Sequence, residues 1–258
     1  MFGVGTGGRA MSLLHGLRRE LAGLFDLFFP PACPLCGVLL ERDGSQLFCS
    51  ACLAGMNPVL SPRCPRCLLP YPGADGSDHL CQPCLLDPPP FSAVTSVALY
   101  EDQLAQAVQR FKYRGAFSLD RPLGCLLAAA LEAEPADGRP DLLVPVPLHV
   151  SRLRRRGYNQ SLLLARVLGR RWRVPVPARL LVRTRATIPQ QGLKAAERRR
   201  NLKGAFQVRK SLDGETVLLV DDVMTTGATA RECSQVLLEA GAGQVEVAVL
   251  GRARLHGI

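Results

Sequence analysis

The chain has 258 residues, room for one good-sized core plus a smaller module, and its 32 Lys and Arg against 22 Asp and Glu leave a formal net charge of +10. That balance, carried mostly by arginine, fits a solvated basic surface or a polyanionic partner (pyrophosphate, nucleic acid or an acidic membrane surface), while aromatic residues at 5% are too few for a base-stacking platform. No stretch reaches the ~18 apolar residues that would span a bilayer, and eight of the ten cysteines fall in Cys-x-x-Cys pairs, which argues against a secreted disulfide framework and for metal ligation in a reducing, cytoplasmic setting.

Residues 1–29 form a first segment. Leu13, Leu14, Leu17, Leu21 and Leu24 have helical spacing that runs on to Phe28, near Arg9, Arg18 and Arg19. Glu20 and Asp26 interrupt any likeness to a signal peptide, and no cleavage site is clear, so a docking helix is expected. Met11 is a second candidate start.

Residues 30–90 read as a metal module. Pro30 and Pro31 stop the helix, and the pairs Cys33/Cys36, Cys49/Cys52, Cys64/Cys67 and Cys81/Cys84 follow at ribbon spacing. Each pair offers two thiolates from one tight turn, and two pairs complete a tetrahedral four-sulfur site. Eight cysteines therefore make two closed, structural zinc sites, whose binding energy supplies the folding energy a Pro- and Gly-rich stretch lacks. Sequential and cross-braced pairings both satisfy the spacing, and an iron–sulfur cluster is the lesser alternative. His79 is expected at the surface. Pro88–Pro90 reads as a linker.

Residues 91–258 read as an α/β domain. A strand over Ala93–Tyr100 leads into a helix over Asp102–Tyr113, ended by Lys112, Arg114 and Gly115. Those cations either answer the helix dipole or point into an anion site. A helix over Leu119–Glu134 follows, then a strand over Asp141–Pro147 that its prolines break. A loop is expected over Leu148–Asn159, carrying Arg152, Arg154, Arg155, Arg156 and Gly157, with at least two of the cations Arg152–Arg155 simply solvated. After a helix over Gln160–Arg171 and a strand over Arg179–Val182 comes a long cationic stretch through Gln190, Arg198 and Asn201 to Phe206, suited to a loop that closes over a polyanion.

The most informative stretch is Thr216–Ala230. Val217–Val220 has no polar alternation and suits a strand buried on both faces of a parallel sheet. Asp221 and Asp222 then lie at its carboxyl end, where open α/β sheets bind ligands. Thr225, Thr226, Gly227 and Thr229 open the next helix as an anion cradle. A phosphorylated ribose satisfies both halves: its hydroxyls the carboxylates, its phosphate the loop. A last strand is expected over Gln244–Leu250.

Hydrophobic strand, two acids and Thr-Thr-Gly-Ala-Thr together resemble the phosphoribosyl-pyrophosphate (PRPP) signature of type I phosphoribosyltransferases. The resemblance implies catalytic roles for Asp221 and Asp222, and PRPP contacts from Val223, Met224, Thr225, Thr226, Gly227, Ala228 and Thr229. It implies pyrophosphate contacts from Arg156 and Gly157, with Lys112 beside them, a catalytic loop bearing Gln190, Arg198 and Asn201, and Mg²⁺ bound with PRPP. Phe-Lys-Tyr-Arg-Gly, Pro-Val-Pro-Leu-His, Arg-Arg-Gly-Tyr-Asn-Gln and Glu-Arg-Arg-Arg-Asn behind zinc ribbons are similar to the ComF family of competence-associated proteins. The expected fold is thus a type I phosphoribosyltransferase-like parallel sheet flanked by helices, with an N-terminal double zinc-ribbon module. The expected activity is phosphoribosyl transfer to an unnamed acceptor. The alternative is a non-catalytic DNA-uptake protein that binds single-stranded DNA or a helicase partner.

Overall fold

The computed structural model describes residues 30–41, 46–73, 76–113, 117–134, 138–185 and 200–254. The expected N-terminal helix lies outside these residues, as do Arg114, Gly115, Gln190 and Arg198.

Four parallel strands form the central sheet, in the order β1 (Val94–Leu99), β6 (Gln244–Arg252), β5 (Thr216–Met224), β2 (Leu142–Pro145). Val217, Leu218, Leu219 and Val220 are at most 2% exposed, as an unbroken apolar run requires. The helix α3 (Asp102–Tyr113) buries Leu104, Ala107, Val108 and Phe111 completely, one face at i, i+3, i+4, i+7. α4 (Asp120–Ala133) packs on α6 (Gln160–Trp172), and α6 packs on β2 and β5. α7 (Ala228–Glu239) links β5 to β6.

Two differences from expectation bear on the site. β5 does not end at Val220 but runs to Met224, because β6 continues to pair with it through Asp221↔Val249, Val223↔Gly251 and Met224↔Arg252. On its other edge the ladder does stop: β2 ends at Pro145↔Val220, with one further bond from Val146 N to Val220 O at 2.9 Å. The two carboxylates therefore sit within a strand that has lost one neighbour. The expected loop over Leu148–Asn159 contains a helix, α5 (Val150–Arg156). The His149 ring accepts from Ser151 N at its start, and Gly157, at φ 81, closes its end with N–H to Leu153 O at 2.7 Å.

The strands β3 (Leu181–Arg183) and β4 (Phe206–Val208) form a separate antiparallel pair. Arg183 faces Phe206, and Thr184 N donates to Ala205 O at 3.0 Å, so the two ends of the cationic stretch are tied together at its base.

By compactness the chain divides into two units at Leu53/Ala54. The first unit holds Cys33, Cys36, Cys49 and Cys52, the last of them in the short helix α1 (Ser50–Ala54). The second unit holds the other four cysteines together with the sheet, and Cys64, Cys67, Cys81 and Cys84 share one apolar cluster with Met224, Ala228 and Phe91. Each unit carries the same turn. Cys33 N donates to Val38 O at 2.7 Å and Gly37 N to Cys33 O at 2.8 Å; Cys64 N donates to Leu69 O at 2.9 Å and Leu68 N to Cys64 O at 2.8 Å. Among the described residues no helix is long and apolar enough to cross a membrane.

Candidate functional site

The site is built where β2 has ended and β5 has not. Asp221 and Asp222 are both partly buried there. Asp221 Oδ1 accepts from Ser161 Oγ at 3.0 Å, in the first turn of α6, and from Asp222 N at 2.9 Å. Asp222 Oδ1 pairs with Lys112 Nζ at 3.0 Å, their side chains 14% and 16% exposed. Burial, and next the charge of Asp222, push the Asp221 carboxyl up to about 7. Burial alone would lower Lys112, but Asp222 outweighs it and holds the ammonium above its usual range. Lys112 thus reaches Asp222 from the last turn of α3. Two adjacent carboxylates are hard oxygen ligands of the kind Mg²⁺ takes alongside phosphate oxygens.

The cradle follows directly. Val223 and Met224 belong to the strand, so the turn proper is Thr225–Gly227. Gly227, at φ 77, caps α7 in a left-handed conformation, and a Cβ there would lie 2.6 Å from Met224 Cε. Ala228 and Thr229 open the helix, whose first N–H groups have no intrahelical acceptor.

The Arg-Arg-Gly-Tyr-Asn-Gln run is tied down residue by residue. Arg156 Nη1 donates to Gln160 Oε1 at 3.1 Å, and its guanidinium lies over the Tyr113 ring at 4.9 Å. The Tyr158 hydroxyl donates to Phe111 O. Asn159 caps α6 by accepting from Ser161 N at 3.1 Å, and its amide donates to Val146 O at 3.0 Å. Gln160 is 1% exposed, and its Nε2, like Arg156 Nε, is buried with no hydrogen-bond partner among the described residues. Arg154 and Arg155 are exposed, as a solvated pair should be. Arg152 is not: burial, with Arg156 and Arg155 nearby, holds it below the usual arginine range. Burial and Arg152 do the same to Arg183 in β3. Guanidiniums stay charged in proteins, so Arg152 and Arg183, which oppose one another, leave positive charge suited to an anion, with Asp221 acting on Arg183. Asn201 is described, and its carbonyl accepts from Arg185 at 3.0 Å.

Sequence reading missed Ser161 and Arg252, and it put Arg183 at the start of the cationic stretch where the structure has it in β3. A serine at a helix start reads as capping, and only the packing of α6 on β5 brings it to Asp221. Arg252 is 2% exposed at the end of β6, beyond the expected strand.

Both cysteine tetrads are gathered, and the pairing is sequential: Cys33, Cys36, Cys49 and Cys52 in one, Cys64, Cys67, Cys81 and Cys84 in the other, all four sulfurs of each within 4.8 Å of one another. Cys36 and Cys49 sulfurs lie 3.5 Å apart, and Cys67 and Cys81 sulfurs 3.7 Å. A tetrahedron with Zn–S bonds of ~2.3 Å has edges of about 3.8 Å, so the donors fit zinc. Backbone N–H groups support the sulfurs, Cys52 N on Cys49 Sγ and Cys81 N on Cys64 Sγ, each at 3.4 Å. His79 takes no part; it is exposed and stacks on Tyr71 at 4.2 Å.

Comparison with known proteins gives the same two parts. Residues 24–85 match a double zinc ribbon domain and residues 158–256 a phosphoribosyl transferase domain. The DNA utilization protein YhgH of Escherichia coli O157:H7 is 38% identical over 231 residues, covering 88% of this chain and 99% of that protein. Competence protein F of Haemophilus influenzae is 34% identical over 221 residues, covering 80% and 96%. Among solved structures, the glutamine PRPP amidotransferase from B. subtilis overlays 50% of this chain and 25% of its own at 22% identity and a TM-score of 0.34, too distant a likeness to build on.

Proposed function

Because the chain belongs to the ComF family, with its double zinc ribbon and phosphoribosyltransferase-type domain, we propose that it binds PRPP with Mg²⁺ and transfers the phosphoribosyl group to an acceptor nucleophile. The observation that carries this reading is the juxtaposition, on one strand end, of Asp221 and Asp222 with the Thr225–Thr229 cradle opening α7. The carboxylates take the ribose hydroxyls and the cradle takes the 5′-phosphate.

The reaction is substitution at the anomeric carbon. The bond to pyrophosphate breaks with its electron pair leaving on oxygen, the sugar passes through an oxocarbenium-like state, and the acceptor forms the new bond and gives up its proton. Bound Mg²⁺ supplies neutralisation of the leaving charge. Arg156, Gly157 and Arg152 receive the pyrophosphate, and Lys112 adds its charge while keeping Asp222 in place. Asp221 and Asp222 favour the positive charge that develops on the ring. Gln190, Arg198 and Asn201 contribute from the cationic stretch whose two ends are tied together at Arg183 and Phe206. The second zinc ribbon is the hood that selects the acceptor: Cys67 and Cys84 line one cavity with Thr226 and Arg231. A pyrophosphate-release assay with PRPP, Mg²⁺ and a panel of nucleobases and amines tests turnover. Release with at least one acceptor, lost in Asp221→Asn/Asp222→Asn, is expected; no release with any acceptor would leave a binding protein.

The names of the relatives, a DNA utilization protein and a competence protein, favour a second reading in which this fold serves DNA uptake without turnover. The same cradle would then take a DNA 5′-phosphate, with the exposed Arg154 and Arg155 on the strand backbone and the zinc ribbons facing a helicase partner. Fluorescence anisotropy separates the readings. This one requires tighter binding of a 5′-phosphorylated single strand than of its unphosphorylated form, weakening steeply with salt.

A further inference from the structure

Among the described residues Arg252 is the largest fully buried side chain, and its fork joins two places that the sequence keeps far apart. Nε donates to Cys67 O at 2.7 Å, and Nη2 lies 4.0 Å from Cys67 Sγ. Nη1 donates to Thr225 O at 2.6 Å, to Met224 O at 3.3 Å and to Ala253 O at 2.7 Å. No carboxylate is among these partners. A buried guanidinium needs negative charge nearby, and Cys64, Cys67, Cys81 and Cys84 as thiolates holding one Zn²⁺ would supply a net charge of −2 beside it.

The other end of the fork fixes the cradle. Each peptide unit is planar and trans, so its N–H points opposite to its C=O. With Met224 O and Thr225 O turned toward Arg252, the N–H groups of Thr225 and Thr226 are directed away from it, so the guanidinium fixes the orientation of both peptide units. A second arginine repeats the link: Arg231, in α7, donates to Asp87 O at 2.6 Å and to Pro88 O at 3.0 Å, just after the helix α2 (Gln82–Leu86) that carries Cys84.

We propose that Arg252 is a positioning residue through which the metal-loaded second ribbon sets the hydrogen-bond donors of the phosphate cradle. The metal site of Cys64, Cys67, Cys81 and Cys84 is then part of the sugar-phosphate site and not only a fold element. The ligand arm of the test rests on the PRPP reading; the structural arm does not.

The test uses full-length, zinc-loaded protein: wild type, Arg252→Met and Arg252→Lys. Amide hydrogen exchange is followed over Thr225–Thr229 without ligand, zinc content is measured, and PRPP with Mg²⁺ is titrated. Arg252→Met is expected to speed exchange in the cradle at least tenfold while the amides of Val217–Val220 keep their protection, and to weaken PRPP at least tenfold. Arg252→Lys, with one ammonium in place of a fork, should fall between and covers the case in which the Met variant does not fold. Chelating zinc should speed the same amides in wild type and add little in the Met variant. Unchanged cradle exchange in both variants overturns the proposal, as does an equal further effect of chelation in wild type and variant. If wild type binds no PRPP, the substrate reading fails while the exchange data still decide this one.

Discussion

Asp221 is the residue on which the site's chemistry turns, and it is held at a cost. Its carboxyl titrates near 7 in the folded chain against an ordinary 3.8, so the fold favours the protonated form. The folded state therefore binds more protons than the unfolded one between about pH 4 and 7, and the unliganded protein loses stability as pH rises through that window. Asp221→Asn should remove the loss, gaining on the order of 4 kcal/mol over wild type at pH 8 and little at pH 4. Parallel urea melts at the two pH values check this; a gain independent of pH would contradict it. Lys112 is the counterpart. Removing it leaves Asp222 partly buried without its cation, so Lys112→Met should cost about 2–4 kcal/mol, much of it recovered in Lys112→Met/Asp222→Asn. A double-mutant cycle with additive costs would contradict the pairing.

At the scale of elements, the helices and the parallel strands were legible because their apolar periods are clean, as in Leu104, Ala107, Val108 and Phe111 on α3. The cradle was legible because acids, threonines and glycine are contiguous. α5 was not, since Arg154, Arg155 and Arg156 carry no apolar face and a short exposed helix leaves no periodic trace; only Gly157 marks its end. The extension of β5 to Met224 was hidden for another reason: it depends on pairing with β6, a long-range contact, while the two acids read as a stop. Ser161 and Arg252 reach their partners only through packing. Gly157 gives a local test. A Cβ there meets open space, so Gly157→Ala pays only for the left-handed backbone, about 1 kcal/mol. Gly241→Ala, whose Cβ would lie 2.2 Å from Leu212 O, should cost well over twice that. Equal midpoints in denaturant melts of the two variants would contradict the difference.

At the scale of the molecule, the second ribbon shares its core with the sheet, so zinc removal should not simply unfold an appendage. Loss of metal there should lower the melting temperature of the second unit itself, measured by calorimetry before and after chelation, because Cys64, Cys67, Cys81 and Cys84 belong to the apolar cluster that includes Met224 and Ala228. The basic charge of the whole chain then acts on a site that already has its own anion geometry. It raises encounter with polyanions and makes binding salt-dependent, without selecting among them. Selection belongs to the carboxylates and the cradle. The most direct test is isothermal titration of the zinc-loaded protein with PRPP and Mg²⁺, for wild type and for Asp221→Asn/Asp222→Asn. Saturable one-to-one binding that the double variant loses is the predicted result; a folded wild type that takes up no PRPP would contradict the account at its centre.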